Sequence, residues 1–338
     1  MNIINNSHGE LKRLNEEVLQ PGDIVLVTQR GGVSSTIRAF TLSDISHAMV
    51  YIEDRSVIDA RPGGVRSANT QRLFFDADLP VYALRLRTPP SPAQLRTIEA
   101  ELRSKIGARY SALEAVRAVL PGQRRASRKQ FCSRLIAQAF AAAGIQLVAR
   151  PNFCSPDKLK KSRLLAPLKN ATVVAAPEEI AFFESRVDIP ELMHEATNNL
   201  LDGARRFDPA IENLDDLNEH LVRHPEHDAA LCRILKVSGY LEIWQIEKAK
   251  NPWQYDINLM HREHPKGMTG YCLDVLRNET SQPNRYQINR TGYHGFAQAS
   301  GCRYFNMMAE LYDTLEALHQ LHVDTVQQWL AAQVSPSA

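Results

Sequence analysis

The chain has 338 residues, enough for two domains each with its own core, and its 44% hydrophobic and 23% charged content is ordinary for a globular protein. No apolar run reaches the ~18 residues of a membrane-spanning helix, and five cysteines, an odd number at irregular spacing, fit neither a disulfide framework nor a patterned zinc site. The net charge of +2 conceals a division, because residues 1–170 carry 26 Lys and Arg against 14 Asp and Glu, while the remainder carries 14 against 24.

That division predicts two domains with different electrostatic surfaces, parting where "NATVVAAPEE" turns the composition from basic to acidic: residues 1–175 and 176–338. The opening stretch "MNIINNSHGELKRLNEEVLQ" lacks the basic-then-apolar order of a secretory signal. The expectation is synthesis in the cytoplasm, with a dedicated secretion system carrying the protein if it works elsewhere.

"PGDIVLVTQ" predicts a turn and a short β-branched strand. "ISHAMVYI" and "SVIDA" predict two more strands, joined by the polar turn "EDR". In "LPVYALRLR", Leu84 and Leu86 fall on one face and Arg85 and Arg87 on the other. A helix follows, with Ser91 as N-cap, Pro92 as first residue, a stripe of Leu95, Ile98, Leu102 and Ile106, and Gly107 at its stop. "SRKQFCSRLIAQAFAAAG" predicts a second helix from about Ser127 to Gly144, and Ser155 with Pro156 opens another short one. Beyond residue 175 the periodicity is helical, clearest at Met308, Leu311, Leu315 and Leu318. The turn-rich "NETSQPNRYQINRTGYHGFAQASG" is expected to be a long loop.

A nucleophilic cysteine needs its thiolate favoured, a base in hydrogen-bond reach, and a third group to fix the base's tautomer. Cys132 lies in the first turns of its predicted helix, where backbone N–H groups and the helix dipole favour a thiolate and can also cradle an oxyanion. Arg124, Arg125, Arg128 and Lys129 act in the same direction. His47 opens a strand and, if "EDR" closes a hairpin, the residue facing it lies within a position or so of Asp59. Each of these has a plainer reading, as a core cysteine, a packed histidine and a strand-end carboxylate.

The stretch "PGDIVLVTQRGGVSSTIRAFTLSDISHAMVYIEDRSVIDARPGGV", followed by "YSALEAV", "FCSRLIAQAFAAAGI" and "SPDKLKKS", resembles the permuted papain-like amidases of the YiiX/YaeF-like group. These are circular permutations of NlpC-type cell-wall hydrolases, in which histidine precedes cysteine, and the resemblance covers about residues 18–170. It implies an α+β fold with a papain-like antiparallel sheet and a helix bearing the nucleophile. By the same resemblance Cys132 is the nucleophile, His47 the general base and Asp59 the orienting residue, a position where relatives often carry glutamate. Tyr110 matches an aromatic near the family's active site, and Phe131 stands where many relatives have tyrosine. Tyr110, Ser46 beside His47, and Arg128 ahead of the nucleophile are expected to meet the substrate.

The second half matches no named family and is expected to be a mainly helical domain. His220 and His224, four apart, invite a metal, but Pro225 breaks the spacing before His227 and no cysteine or carboxylate pattern completes a set. Trp244, Trp253, Tyr240 and Tyr255 are assigned to core packing.

The expected activity is that of a thiol hydrolase acting through a thioester on the amide bonds of peptidoglycan-type peptides, as in a secreted antibacterial toxin. An alternative is a phospholipid acyl-ester hydrolase or acyltransferase, since the basic half suits an anionic membrane surface. A non-catalytic binding module is a third. No cofactor, metal or nucleic acid is expected; an immunity or adaptor protein on the C-terminal domain is.

Overall fold

The computed structural model describes residues 10–28, 44–53, 55–117, 128–264, 267–278 and 283–334. Arg124, Arg125 and Ser127 therefore lie outside the described residues. The chain divides into two units, Met1–His194 with Glu212–Asp215, and Glu195–Ile211 with Asp216–Ala338.

The described residues of the first unit hold nine strands: β1 (Leu11–Leu14), β2 (Ile24–Val27), β3 (His47–Tyr51), β4 (Ser56–Arg61), β5 (Gly64–Asn69), β6 (Phe74–Asp76), β7 (Val81–Leu86), β8 (Leu165–Pro167) and β9 (Thr172–Val174). They pair antiparallel throughout, in a six-stranded sheet ordered β5-β4-β3-β2-β7-β8 and a three-stranded sheet ordered β6-β1-β9.

The large sheet is covered on both faces, which is why β2 and β3 bury every residue and read as continuous apolar runs. On one face Ile24, Leu26, Ala48, Val50, Ile58 and Leu84 pack with Ile98, Leu102, Leu135, Ile136 and Phe140 from two helices, Pro92–Ser104 and Cys132–Ala142. On the other, Val25, Val27, Met49, Tyr51 and Val57 meet Leu14 and Phe75 of the small sheet.

The helix after β7 begins as expected. Ser91 accepts from the Gln94 N–H, Gln94 returns a bond to the Ser91 N–H, and Pro92 is the first residue. Its helical turns end at Ser104, with Lys105 as cap, three residues before the predicted stop.

The nucleophile helix departs from expectation at its start. It begins at Cys132, not near Ser127, because the preceding segment is extended: Gln130 donates to Arg109 O (2.8 Å) and accepts from Ser111 N–H (2.9 Å), forming a bridge beside Tyr110. Cys132 is thus the first helical residue.

The elements formed by the described residues of the second unit are all helical. Its long helix Arg303–Val334 is capped by the Asp228 carboxylate, which accepts from Arg303 N–H (3.0 Å) and Tyr304 N–H (2.9 Å). The expected loop around residues 278–301 is instead largely the helix Arg285–Ser300. Asn284 and Gln287 form a reciprocal capping box, and Gly301 in the left-handed region ends it, so Asn284 and Gly301 are caps at its two ends while Asn289, Gly292 and Gly295 are carried inside the helix. No described helix is long and apolar enough to cross a membrane.

Candidate active site

His47 is the first residue of β3 and is 4% exposed. Its Nε2 lies 2.9 Å from Asp59 Oδ2. An ionised carboxylate only accepts, so Nε2 carries the proton of that bond and Nδ1 is the nitrogen left to face the thiol. Burial opposes protonation of the ring, but the charge of Cys132 and the bond and charge of Asp59 outweigh it, and the imidazolium persists to higher pH than usual.

Asp59 does not face His47 directly. The register pairs it with Met49, so the two side chains meet diagonally, two residues apart on one face. The offset comes from the turn, where Ile52 N–H bonds Ser56 O and Arg55 takes a positive φ of 56°.

Two arginines not singled out in the sequence surround this carboxylate. Arg61 Nε bonds Asp59 Oδ2, and Arg66, paired with Asp59 across β4 and β5, holds its Nε 3.5 Å from Oδ1. Burial would push the Asp59 carboxyl up, but Arg61, then His47, then Arg66 outweigh it and hold the group far below the usual carboxylate range. The readable signal was the "RPGGVR" turn, since a tight turn at Pro62-Gly63 sets Arg66 opposite Asp59.

Cys132 is 4% exposed. Phe131 is the N-cap and offers no side-chain acceptor, while the first bond of the helical ladder runs from Leu135 N–H to Phe131 O. The N–H groups of Cys132 and Ser133 therefore precede the ladder and point along the positive end of the helix. The start is anchored by Arg134, 1% exposed, which bonds Glu114 (2.6 Å), Asn152 O (2.9 Å) and Lys129 O (2.7 Å). Ser133 Oγ donates to Cys154 O at 2.8 Å.

Tyr110 is brought to the same place, near enough to Cys132 and Asp59 that their charges, after burial, push its hydroxyl up. Its segment is pinned to β5: Val65 N–H bonds Ala108 O and Gly107 N–H bonds Val65 O, both at 2.9 Å. Ser46 is buried beside His47, its N–H on Val27 O (3.1 Å). Arg128 is exposed ahead of the helix. Cys132, His47, Asp59 and Tyr110 are thus gathered, with Ser46 adjacent in the chain.

The other cysteines have a different character. All five are free and buried. Burial pushes the Cys154 thiol well up, and it raises Cys232 and Cys272 to about 11. In the second unit His220 Nε2 lies 2.9 Å from His227 Nδ1, and the rings of His220 and His224 pack at 4.8 Å. Among the described residues no three His, Cys, Asp or Glu side chains are grouped to hold a metal ion.

A first-residue helical cysteine, an imidazole at a strand end and a buried carboxylate bonded to that imidazole are the parts of a thiol hydrolase. Residues 18–178 match the family of permuted papain-like amidase enzymes, YaeF/YiiX, C92 family, so the resemblance carried by the motifs holds over this segment. The papain-like hydrolase character of the segment follows from that match. Among solved structures the chain is similar to the metalloprotein YiiX from Escherichia coli O157:H7, with 14% identity, a TM-score of 0.27, and 47% of this chain and 98% of that one covered. No curated protein matches the chain.

Proposed function

We propose that residues 18–178 carry a cysteine-dependent acyl hydrolase that works through a thioester and cleaves amide bonds of peptidoglycan-type peptides. The observation that carries this reading is the buried His47–Asp59 pair, 2.9 Å apart, beside the first residue of the Cys132 helix.

Cys132 Sγ attacks the substrate carbonyl carbon, and the developing oxyanion is received by the N–H groups of the helix start. His47 delivers its proton to the leaving amine as the carbon–nitrogen bond breaks, and the acyl group remains on sulfur. Water then attacks the thioester, His47 takes its proton, and the carbon–sulfur bond breaks to release the carboxylic acid and restore the Cys132 thiolate beside the His47 imidazolium. Asp59 stays ionised throughout, holding the ring and stabilising the imidazolium.

The substrate class is tested by mass spectrometry of two preparations incubated with the full chain: muropeptides from digested cell wall, and phospholipid vesicles. New amine and carboxyl ends in the muropeptides with unchanged lipids are expected. Lysophospholipid and free fatty acid with intact muropeptides would overturn the amide assignment in favour of a lipid ester.

A further inference from the structure

The site has a second ring of charge that reaches outside the matched segment. Arg66 has two carboxylates within reach, and it does not treat them alike. Its Nη1 closes on Glu191, whereas its Nε stands off at 3.5 Å from Asp59 Oδ1. Both of those facing atoms, Arg66 Nε and Asp59 Oδ1, are buried without a hydrogen-bond partner among the described residues. Arg66 and Asp59 are 7% and 1% exposed, so the missing bond is not compensated by bulk water.

Glu191 comes from the first turn of the helix Ile189–Ala204, beyond residue 178, and belongs to the same unit as the triad. The next turn of the same helix rests on the β4–β5 hairpin: a Cβ added at Gly63 would come within 3.3 Å of His194 Nε2. The helix therefore approaches the very hairpin whose strands carry Asp59 and Arg66.

We infer that Glu191 is a positioning residue of this site, which draws Arg66 away from Asp59 and so sets how firmly Asp59 holds the His47 ring. An Asp59 fully clamped by two guanidiniums would have less of its charge to offer the imidazole. With Arg66 partly neutralised by Glu191 and standing off from Oδ1, the bonds the Asp59 carboxylate makes among the described residues are those of Oδ2 to Arg61 and His47. The charged groups that act on His47 are Asp59 and the Cys132 sulfur; Arg61 and Arg66 act in turn on Asp59, and the Tyr110 hydroxyl lies near Cys132 and Asp59. Glu191 is the member of this array furthest along the chain. The inference rests on the acyl-transfer reading above, because it concerns the same Cys132–His47 pair.

Electrostatics fixes the sign of the test. Removing a negative charge near a coupled acid–base pair makes the loss of each proton easier, so both apparent inflections of the pair move to lower pH. The measurement is the rate of Cys132 alkylation by iodoacetamide across pH, in the full chain, with Cys132→Ala subtracting any reaction elsewhere. In Glu191→Gln both inflections are expected about half a pH unit lower than in wild type. Glu191→Asp, which keeps the charge, is expected to track the wild type. Arg66→Gln, which removes the cation and leaves both carboxylates, is expected to move the inflections upward.

A Glu191→Gln profile superimposed on the wild type, with or without a lower melting temperature, would reduce Glu191 to a structural role and overturn the inference while leaving the nucleophile in place. A wild type with no Cys132-dependent alkylation would overturn the acyl-transfer reading itself, and the positioning role with it.

Discussion

At the scale of residues, the site is governed by which charges are buried together. Among the described residues Asp59 is the sole carboxylate bonded to His47, and it also serves Arg61 and Arg66, whose side chains are 12% and 8% exposed. Asp59→Asn removes the anion and leaves two buried cations short of it, which predicts two separable effects. Turnover falls about a thousandfold because the ring loses its tautomer and its counter-charge, and the fold loses about 3–5 kcal/mol. Steady-state kinetics and urea denaturation of the same preparation check both. For His47 the ionisation is raised on folding, so its stabilisation is complete below the ordinary histidine value of about 6.5 and is lost as pH rises through the folded value. The melting-temperature gap between wild type and His47→Gln should therefore shrink from pH 6 to pH 9; a widening gap would contradict the pairing. Asp59 has the opposite sign: held low in the fold, it stabilises above about pH 4 and loses that contribution as pH falls.

At the scale of elements, the strands that could be read from the sequence were those with continuous or alternating apolar runs, β2, β3, β4 and β7. Their legibility has a physical cause, because they lie inside the large sheet with both faces covered. Strands β5, β6, β8 and β9 carry mixed or short sequences such as "GVRSAN", whose pairing is decided by neighbours and turns rather than by their own pattern. Missing β5 meant missing Arg66, whose place opposite Asp59 is a matter of hairpin register. The Cys132 helix was legible in its Ala- and Leu-rich body, but its first residue was not, since a bridge to the distant Tyr110 segment ends the extended approach. Gly64 shows how closely these elements fit. It has a φ of 114°, and an added Cβ would stand 2.9 Å from Ala108 O, so Gly64→Ala adds strain and a backbone clash where Tyr110 is seated. A loss of at least about 1–3 kcal/mol in denaturant unfolding is expected.

At the scale of the whole molecule, the matched segment is smaller than the unit that supports the site. Residues 18–178 match the family, while the first unit runs to His194 and takes in Glu212–Asp215. Glu212, 5% exposed, accepts from Arg109 N–H (3.0 Å) and Nη2 (2.6 Å), and so secures the chain just before Tyr110; Glu191 engages Arg66. A chain ending at residue 178 loses both carboxylates, and it is expected to melt lower and turn over more slowly than one ending at residue 215. Equal melting and equal activity of the two would show that these supports are dispensable. The acidic composition of the second half, plain in the sequence, says nothing of these two glutamates, because their role depends on where the helices return.

The most direct measurement is product formation by wild type and Cys132→Ala on the same substrate preparations, followed by mass spectrometry. Product with the wild type alone, together with a transient acyl adduct mapped to Cys132, is the expected result. Undiminished product from Cys132→Ala would contradict the assignment of this cysteine as the nucleophile.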